Sequence, residues 1–302
     1  MSADVQLPFL QHAPATPTGR RLEIAVLEGP GAPSWPDTAE VVCDQRALDG
    51  EVNFRIEAHP QDGYLIWGPT YGRHILSVDG GRALCIPGGC AEDAWQRLLI
   101  AQVLPFAALL HGLEIFHASA VVMDGSAIAF VGPSGAGKTS VALELCRLGA
   151  GFLADDVLAL ERVGEELLGH PGTPVAGLDH AEAERLEQAG DRLREEALAA
   201  TNARERLVRL PGATAPAPLA ALFFLDRRPE GPGRPRFEPA PDAQALLSAT
   251  FNSVLTGPQR LHGLLDVCAL VARRRVERIL LGPGVDAAQL AAAVQRRLAA
   301  PA

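Results

Sequence analysis

The chain has 302 residues, 48% of them hydrophobic, which suffices to bury the core of one large or two small domains. Its formal net charge is -9, with 27 Lys and Arg against 36 Asp and Glu, and this argues against nucleic acid as a partner because phosphate contacts need clustered cations. The five cysteines, Cys43, Cys85, Cys90, Cys146 and Cys268, are odd in number, scattered and without a C-x-x-C pair, so neither a zinc site nor a disulfide framework is expected and the thiols read as reduced and cytoplasmic.

Residues 1–20 are Pro-rich and unpatterned and read as a loose tail, with no basic stretch leading into an apolar one of the kind a secretion signal needs. From Arg21 to Ile86, the short runs LEIAVL, VVCD, VNFRIEA, YLIWG, HILSVDG and ALCI are separated by Gly, Pro and Asp, predicting an antiparallel β-meander. His59, His74, Trp35 and Trp67 fall here without metal-ligand spacing and read as packing or surface residues. Ala91 to Leu113 predicts a helix. Its apolar part from Leu98 is short for a membrane span and is interrupted by Gln102, Pro105 and His111, so a buried helix kinked at Pro105 is expected rather than a membrane segment.

Ala118 to Met123 and Ala127 to Val131 flank Asp124-Gly125, a strong two-residue hairpin signal. The second arm runs into Gly132-Pro133-Ser134-Gly135-Ala136-Gly137-Lys138-Thr139, which satisfies G-x-x-x-x-G-K-[ST], and Thr139 to Leu148 reads as a helix. Strand, glycine loop and helix in that order form the cradle in which successive backbone N–H groups wrap nucleotide phosphates. Lys138 is placed to reach the β- and γ-phosphates, and the Thr139 hydroxyl to take one position on Mg²⁺. Ser140 completes the candidate nucleotide-binding run.

After the helix, Phe152-Leu153-Ala154 reads as a strand leading into Asp155-Asp156, with Val157 to Leu160 continuing it. Two carboxylates at that point suit phosphoryl transfer: one holds the metal, and the other, its charge disfavoured by the first, accepts a proton from an incoming hydroxyl. Asp179 to Ala200 reads as an exposed charged helix, and Arg204, Arg206 and Arg209 beyond it as solvated surface. Leu219 to Leu225 predicts a buried strand between two Pro/Gly-rich loops. The second loop is made basic by Arg227, Arg228, Arg234 and Arg236. Helices over Asp242 to Phe251, Pro258 to Arg273 and Val285 to Leu298, with a strand at Val276 to Leu281, close the chain, and no internal repeat is found.

The segment His117 to Asp156 resembles the HPr kinase/phosphorylase family and its wider set of related kinases, whose P-loop is of the phosphoenolpyruvate-carboxykinase type. A histidine opening the strand before the loop, the narrower G-x-S-G-x-G-K-[ST] and an Ala-Asp-Asp ending the next strand are all present, with His117 fifteen positions before Gly132 and Asp156 seventeen after Thr139. The resemblance implies an α/β fold with α+β character. In this fold a mixed-sheet P-loop kinase core over residues 114–302, with C-terminal helices, carries a β-rich N-terminal region and helix over residues 21–113 packed on it.

It also implies an ATP- and Mg²⁺-dependent kinase transferring the γ-phosphoryl group to a hydroxyl, most plausibly a serine of a peptide or small protein. Some members of the wider set are encoded beside ribosomal-peptide modification machinery. Lys138 would polarise the phosphates, Thr139 and Asp155 would attend the metal, Asp156 would accept the hydroxyl proton and His117 would stand beside the reacting phosphoryl group. No counterpart of the family's E-I-R-G-like segment or its later Pro-Gly-Arg segment is found after residue 160, which leaves the reverse reaction and HPr as acceptor open. A small-metabolite kinase and a non-catalytic nucleotide-binding module are the rival expectations, and a homo-oligomer is compatible with each.

Overall fold

The computed structural model describes residues 21–29, 31–47, 49–90, 92–188, 206–210, 212–239, 243–251 and 258–300. The tail, Arg204 and the second half of the charged Asp179 to Ala200 segment lie outside the described residues. The chain divides into two compact units, the first ending at Leu113 and the second beginning at Glu114.

The first unit holds β1 (Glu23–Val26), β2 (Glu40–Arg46), β3 (Val52–His59), β4 (Gly63–Gly68), β5 (Gly72–Leu76) and β6 (Arg82–Ile86), followed by helix α1 (Glu92–Leu98). A π-helical turn over Leu99–Val103 then leads into α2 (Leu104–Leu110). The strands form one sheet in the order β1-β6-β5-β4-β3-β2. From β2 to β6 it is the antiparallel meander that the turn residues predict. The expectation fails at β1, which pairs parallel to β6. A strand arriving from the distant start of the chain is not held to a hairpin's direction and can take either sense on a free edge.

Alternate residues of the meander, among them Ile56, Ile66, Leu76 and Cys85, pack with Trp95, Leu99 and Phe106 of the helical segment. His74 is fully buried, as a packing residue. The kink expected at Pro105 takes the form of the π-turn: Pro105 sits in the first turn of α2, where its missing N–H is not needed, and the Leu104 N–H reaches back to the Leu99 carbonyl. No helix among the described residues is long and apolar enough to cross a membrane.

In the second unit come β7 (Glu114–Phe116), β8 (Ala118–Met123), β9 (Ser126–Val131), α3 (Lys138–Arg147), β10 (Gly151–Ala154), β11 (Leu158–Val163), β12 (Glu166–His170), β13 (Val175–Leu178) and α4 (His180–Gln188). They are followed by β14 (Arg206–Arg209), β15 (Ala217–Arg227), β16 (Arg236–Pro239), α5 (Ala243–Ser248), α6 (Pro258–Ala272), β17 (Arg275–Leu281) and α7 (Ala287–Ala299). The expected mixed sheet is present. β10, β8 and β9 pair antiparallel, β9 and β17 both run parallel to β15, and β16 closes the far edge antiparallel to β17. The start of β15 pairs with β12, which continues through β11 to β7.

β9 explains why its sequence is apolar without interruption. Ile128 and Phe130 face one cluster with α3 and α7 residues such as Val141, Leu145, Leu290 and Val294, while Ala127, Ala129 and Val131 face a second cluster with Leu264, Val267 and Val271 of α6. Both faces of the strand are covered, so both residue parities must be apolar. The predicted hairpin between β8 and β9 turns at Asp124 and Gly125, with φ of 48° and 74°, the positive pair that a type I′ turn requires.

Candidate functional site

The glycine loop leaves the C-terminal end of β9 and enters α3. Gly137, the residue before the helix, has φ 100°, and Gly132 has φ 154° with the Leu225 carbonyl oxygen 2.7 Å from where a Cβ would sit. A side chain at either position is excluded, by backbone conformation at Gly137 and by both conformation and space at Gly132. Pro133, Ser134 and Gly135 at the crest are exposed, whereas Ala136 and Lys138 are buried. The Lys138 ammonium donates to the Gly132 carbonyl at 3.0 Å and the Pro133 carbonyl at 3.4 Å, so the cation lies under the loop.

Asp155 is drawn to the same place. Its Oδ1 accepts from the Thr139 hydroxyl at 2.8 Å and the Ser119 hydroxyl at 2.5 Å, and its Oδ2 accepts from the Gly177 N–H at 3.2 Å. Burial, and then the neighbouring charge of Asp156, push the Asp155 carboxyl up to about 6, against the three donors that hold it down.

Asp156 is exposed and has φ 60°, and the Val157 N–H closes a three-residue turn on the Asp155 carbonyl at 2.7 Å. This corrects the expectation that Val157 to Leu160 continue the incoming strand: β10 ends at Ala154 on β8, and β11 starts at Leu158 on β7. Aspartate tolerates the left-handed backbone that such a reversal needs. His117 is exposed, and its Nδ1 lies 3.0 Å from the Asp156 carbonyl oxygen. A carbonyl only accepts, so the proton of this contact sits on Nδ1, and Nε2 faces away from the bond. The His117 N–H is fixed to the Ala249 carbonyl at 2.7 Å.

Loop, lysine, threonine, Asp155 and the turn that joins Asp156 to His117 therefore lie at one end of the mixed sheet. Ser140 follows Thr139 in the first turn of α3. Its hydroxyl donates to Glu182 of α4 at 3.0 Å. Four contributors were not singled out from sequence. Ser119 carries a signal in hindsight, as a fully buried polar residue in an apolar strand. The Gly177 N–H and Glu182 carry none. Arg227 was read only as part of a basic loop. It anchors Nη1 on the Gly282 and Val285 carbonyls at 2.9 and 3.0 Å, and its Nη2 lies 3.6 Å from the Cβ position at Gly137. Its loop neighbours Arg228 and Arg236 are paired with Asp226 and Glu238, so two of the loop's four arginines are neutralised internally.

No cluster of three His, Cys, Asp or Glu side chains suited to a metal exists among the described residues. Magnesium does not require one, since it binds through one or two protein oxygens plus waters and phosphates. A threonine hydroxyl and a carboxylate oxygen 2.8 Å apart at the mouth of the loop have the hard-oxygen chemistry that fits it.

No protein-family model matches the chain. Curated relatives match parts of it. The HPr kinase/phosphorylase of Chlorobium limicola is 42% identical over 70 residues, 23% of this chain and 21% of the relative. That of Nitrosomonas europaea is 39% identical over 80 residues, 26% and 22%, and that of Chromobacterium violaceum 35% identical over 74 residues, 24% and 21%. The solved Hpr(Ser) kinase/phosphatase from Coxiella burnetii aligns with 61% of this chain and 90% of its own at 16% identity and a TM-score of 0.32, a superposition too loose to argue from. The chain spans about a fifth of the length of the curated relatives it matches, and over those stretches it is HPr-kinase-like.

Proposed function

We propose that the chain is an ATP- and Mg²⁺-dependent kinase that transfers the γ-phosphoryl group to a hydroxyl, with a serine of a peptide or small protein as acceptor. The observation that carries this reading is the 2.8 Å contact between the Thr139 hydroxyl and Asp155 beside a buried Lys138. A loop kept only to hold nucleotide has no use for a second strand that delivers two adjacent carboxylates. The N–H groups of Gly132 to Thr139 and the start of α3 hold the phosphates, and Lys138 exchanges its loop carbonyls for phosphate oxygens.

Thr139 and Asp155 hold magnesium, which when bound neutralises charge on the phosphate oxygens. Asp156 takes the proton of the acceptor hydroxyl as its oxygen bonds to the γ-phosphorus and the bond to the β-phosphate oxygen breaks, releasing ADP. His117 pins the Asp156 main chain through Nδ1 and presents Nε2 beside the reaction. Positioning and charge supply the rate, with little covalent chemistry left for the protein.

The test is transfer from γ-labelled ATP to serine-containing peptides. Lys138→Ala abolishes transfer and weakens nucleotide binding. Asp156→Asn binds ATP as the unaltered protein does yet transfers nothing. Continued labelling by Asp156→Asn removes the base assignment, and ATP turnover at no acceptor by the unaltered protein removes the kinase.

A further inference from the structure

A cavity of about 460 Å³ adjoins the loop on the side of its first two residues, and its wall includes His117, Gly132, Pro133, Asp226, Ser248 and Arg278. Gly132 and Pro133 are the residues whose carbonyls receive the Lys138 ammonium, and that lysine is the group that reaches the β- and γ-phosphates in such loops. The cavity therefore opens at the reactive end of the bound triphosphate. His117 joins its wall to the acid turn, because the same residue contacts the Asp156 carbonyl through Nδ1 and is tethered to Ala249 of the cavity wall through its N–H. The space thus has the first residues of the loop on one wall and, through His117, adjoins the turn that carries Asp156.

The remaining wall gives the acceptor its chemistry. Phe224, Ala245 and Ala249 are apolar, so the charged groups set selectivity. Asp226 is occupied: Arg228 grips it through Nε at 3.0 Å and Nη2 at 2.6 Å. Arg278 stands further off, in a long ion pair with Asp226 whose Nε–Oδ2 separation is 4.0 Å, and its side chain is 35% exposed. Its guanidinium donates no hydrogen bond among the described residues. A guanidinium offers a planar fork that carboxylates fill with two parallel bonds, and here that fork is held at one wall of a cavity whose other end is the phosphate loop. The volume is at the small-molecule end of the range for enzyme pockets, large enough for a short segment and too small for a folded surface.

We infer that this cavity is the acceptor site, and that it takes a hydroxyl compound bearing a carboxylate, which Arg278 binds while the hydroxyl faces the loop. The inference rests on the kinase reading above and names the substrate class of that reading. Two sources share the chemistry: a serine flanked by an acidic residue in a peptide, and a free hydroxy acid.

The experiment offers the full chain γ-labelled ATP with three pools in parallel: serine peptides flanked by Asp or Glu, the same peptides with Asn or Gln, and free hydroxy acids with their amides. Transfer favours the carboxylate member of each pair, and the pool that labels identifies the source. In Arg278→Gln the KM for that acceptor rises about tenfold to a hundredfold, the size expected for loss of a charge-assisted pair. The kcat and the KM for ATP stay within twofold, and Arg278→Lys restores part of the affinity.

Equal labelling of carboxylate and amide acceptors overturns the inference while leaving the kinase standing. So does an Arg278→Gln defect that falls on ATP or on kcat, which makes Arg278 a phosphate ligand instead. Absence of labelling in all pools removes the kinase and the acceptor site together.

Discussion

Replacing Asp155 by asparagine should make the protein more stable while removing its activity. The Asp155 carboxyl is pushed up to about 6 from the usual 3.8, by burial first and by Asp156 second. The folded state therefore holds a proton more tightly than the unfolded chain. Below about pH 4 both forms are protonated and no penalty exists; between about 4 and 6 the unfolded chain ionises while the folded state keeps its proton, so the penalty grows, and above 6 it is complete. The displacement corresponds to about 3 kcal/mol at most, reduced to about 1–2 kcal/mol by water at a half-buried site.

Asparagine keeps the shape and can keep the contacts. Its oxygen accepts from the Gly177 N–H, while its amide group donates to the Ser119 and Thr139 hydroxyls, whose own protons rotate away. Asp155→Asn should therefore melt about 3–6 °C higher at pH 7.5 in EDTA, the gain falling to about half by pH 5, and phosphoryl transfer should vanish. Thermal or urea unfolding of both proteins across pH 5 to 8 measures this. A variant no more stable at pH 7.5, or a gain that does not shrink toward pH 5, refutes the account of a charge held at a cost for function.

His74 gives the opposite pH dependence in the first unit. Burial lowers it to about 4 from 6.5, so its neutral form is the folded one, and stability present above pH 6.5 declines as pH falls toward 4, by up to about 3 kcal/mol. His74→Leu should flatten the acid limb of that unit's unfolding profile by this amount, and an unchanged limb would assign the acid sensitivity elsewhere. Gly63→Ala should destabilise the same unit by more than about 3 kcal/mol, since φ is 91° and the new Cβ would lie 2.1 Å from the Leu76 carbonyl oxygen. Circular dichroism melts would read the loss, and a near-native melting temperature would mean that the β4–β5 hairpin has room to move.

The hairpin, the loop and α3 were legible because their signals are local. Asp124-Gly125 sets its turn through its own backbone preferences, the glycines of the loop are required by φ and by the Leu225 carbonyl, and an apolar run covered on both faces announces a central strand. The roles of the acid pair were legible only as a chemical possibility. That Asp155 meets Thr139 follows from β10 lying beside β8, and this pairing also delivers Ser119. Val157 to Leu160 misled because a β-rich run on each side of two acids looks like one strand, whereas the left-handed Asp156 divides it between partners. The parallel β1 and the standoff of Arg278 from Asp226 left no mark in the sequence at all.

What the sequence determined by itself, then, is the glycine loop between β9 and α3 with its lysine and threonine: spacing and backbone preference act over a few residues, where the chain has little freedom. What only the tertiary structure decided is which carboxylate turns inward, which arginines are already paired and where an acceptor has space. Those outcomes depend on groups tens of positions apart being brought within hydrogen-bond reach by sheet order, and sheet order is set by the burial of whole faces rather than by any single stretch of chain.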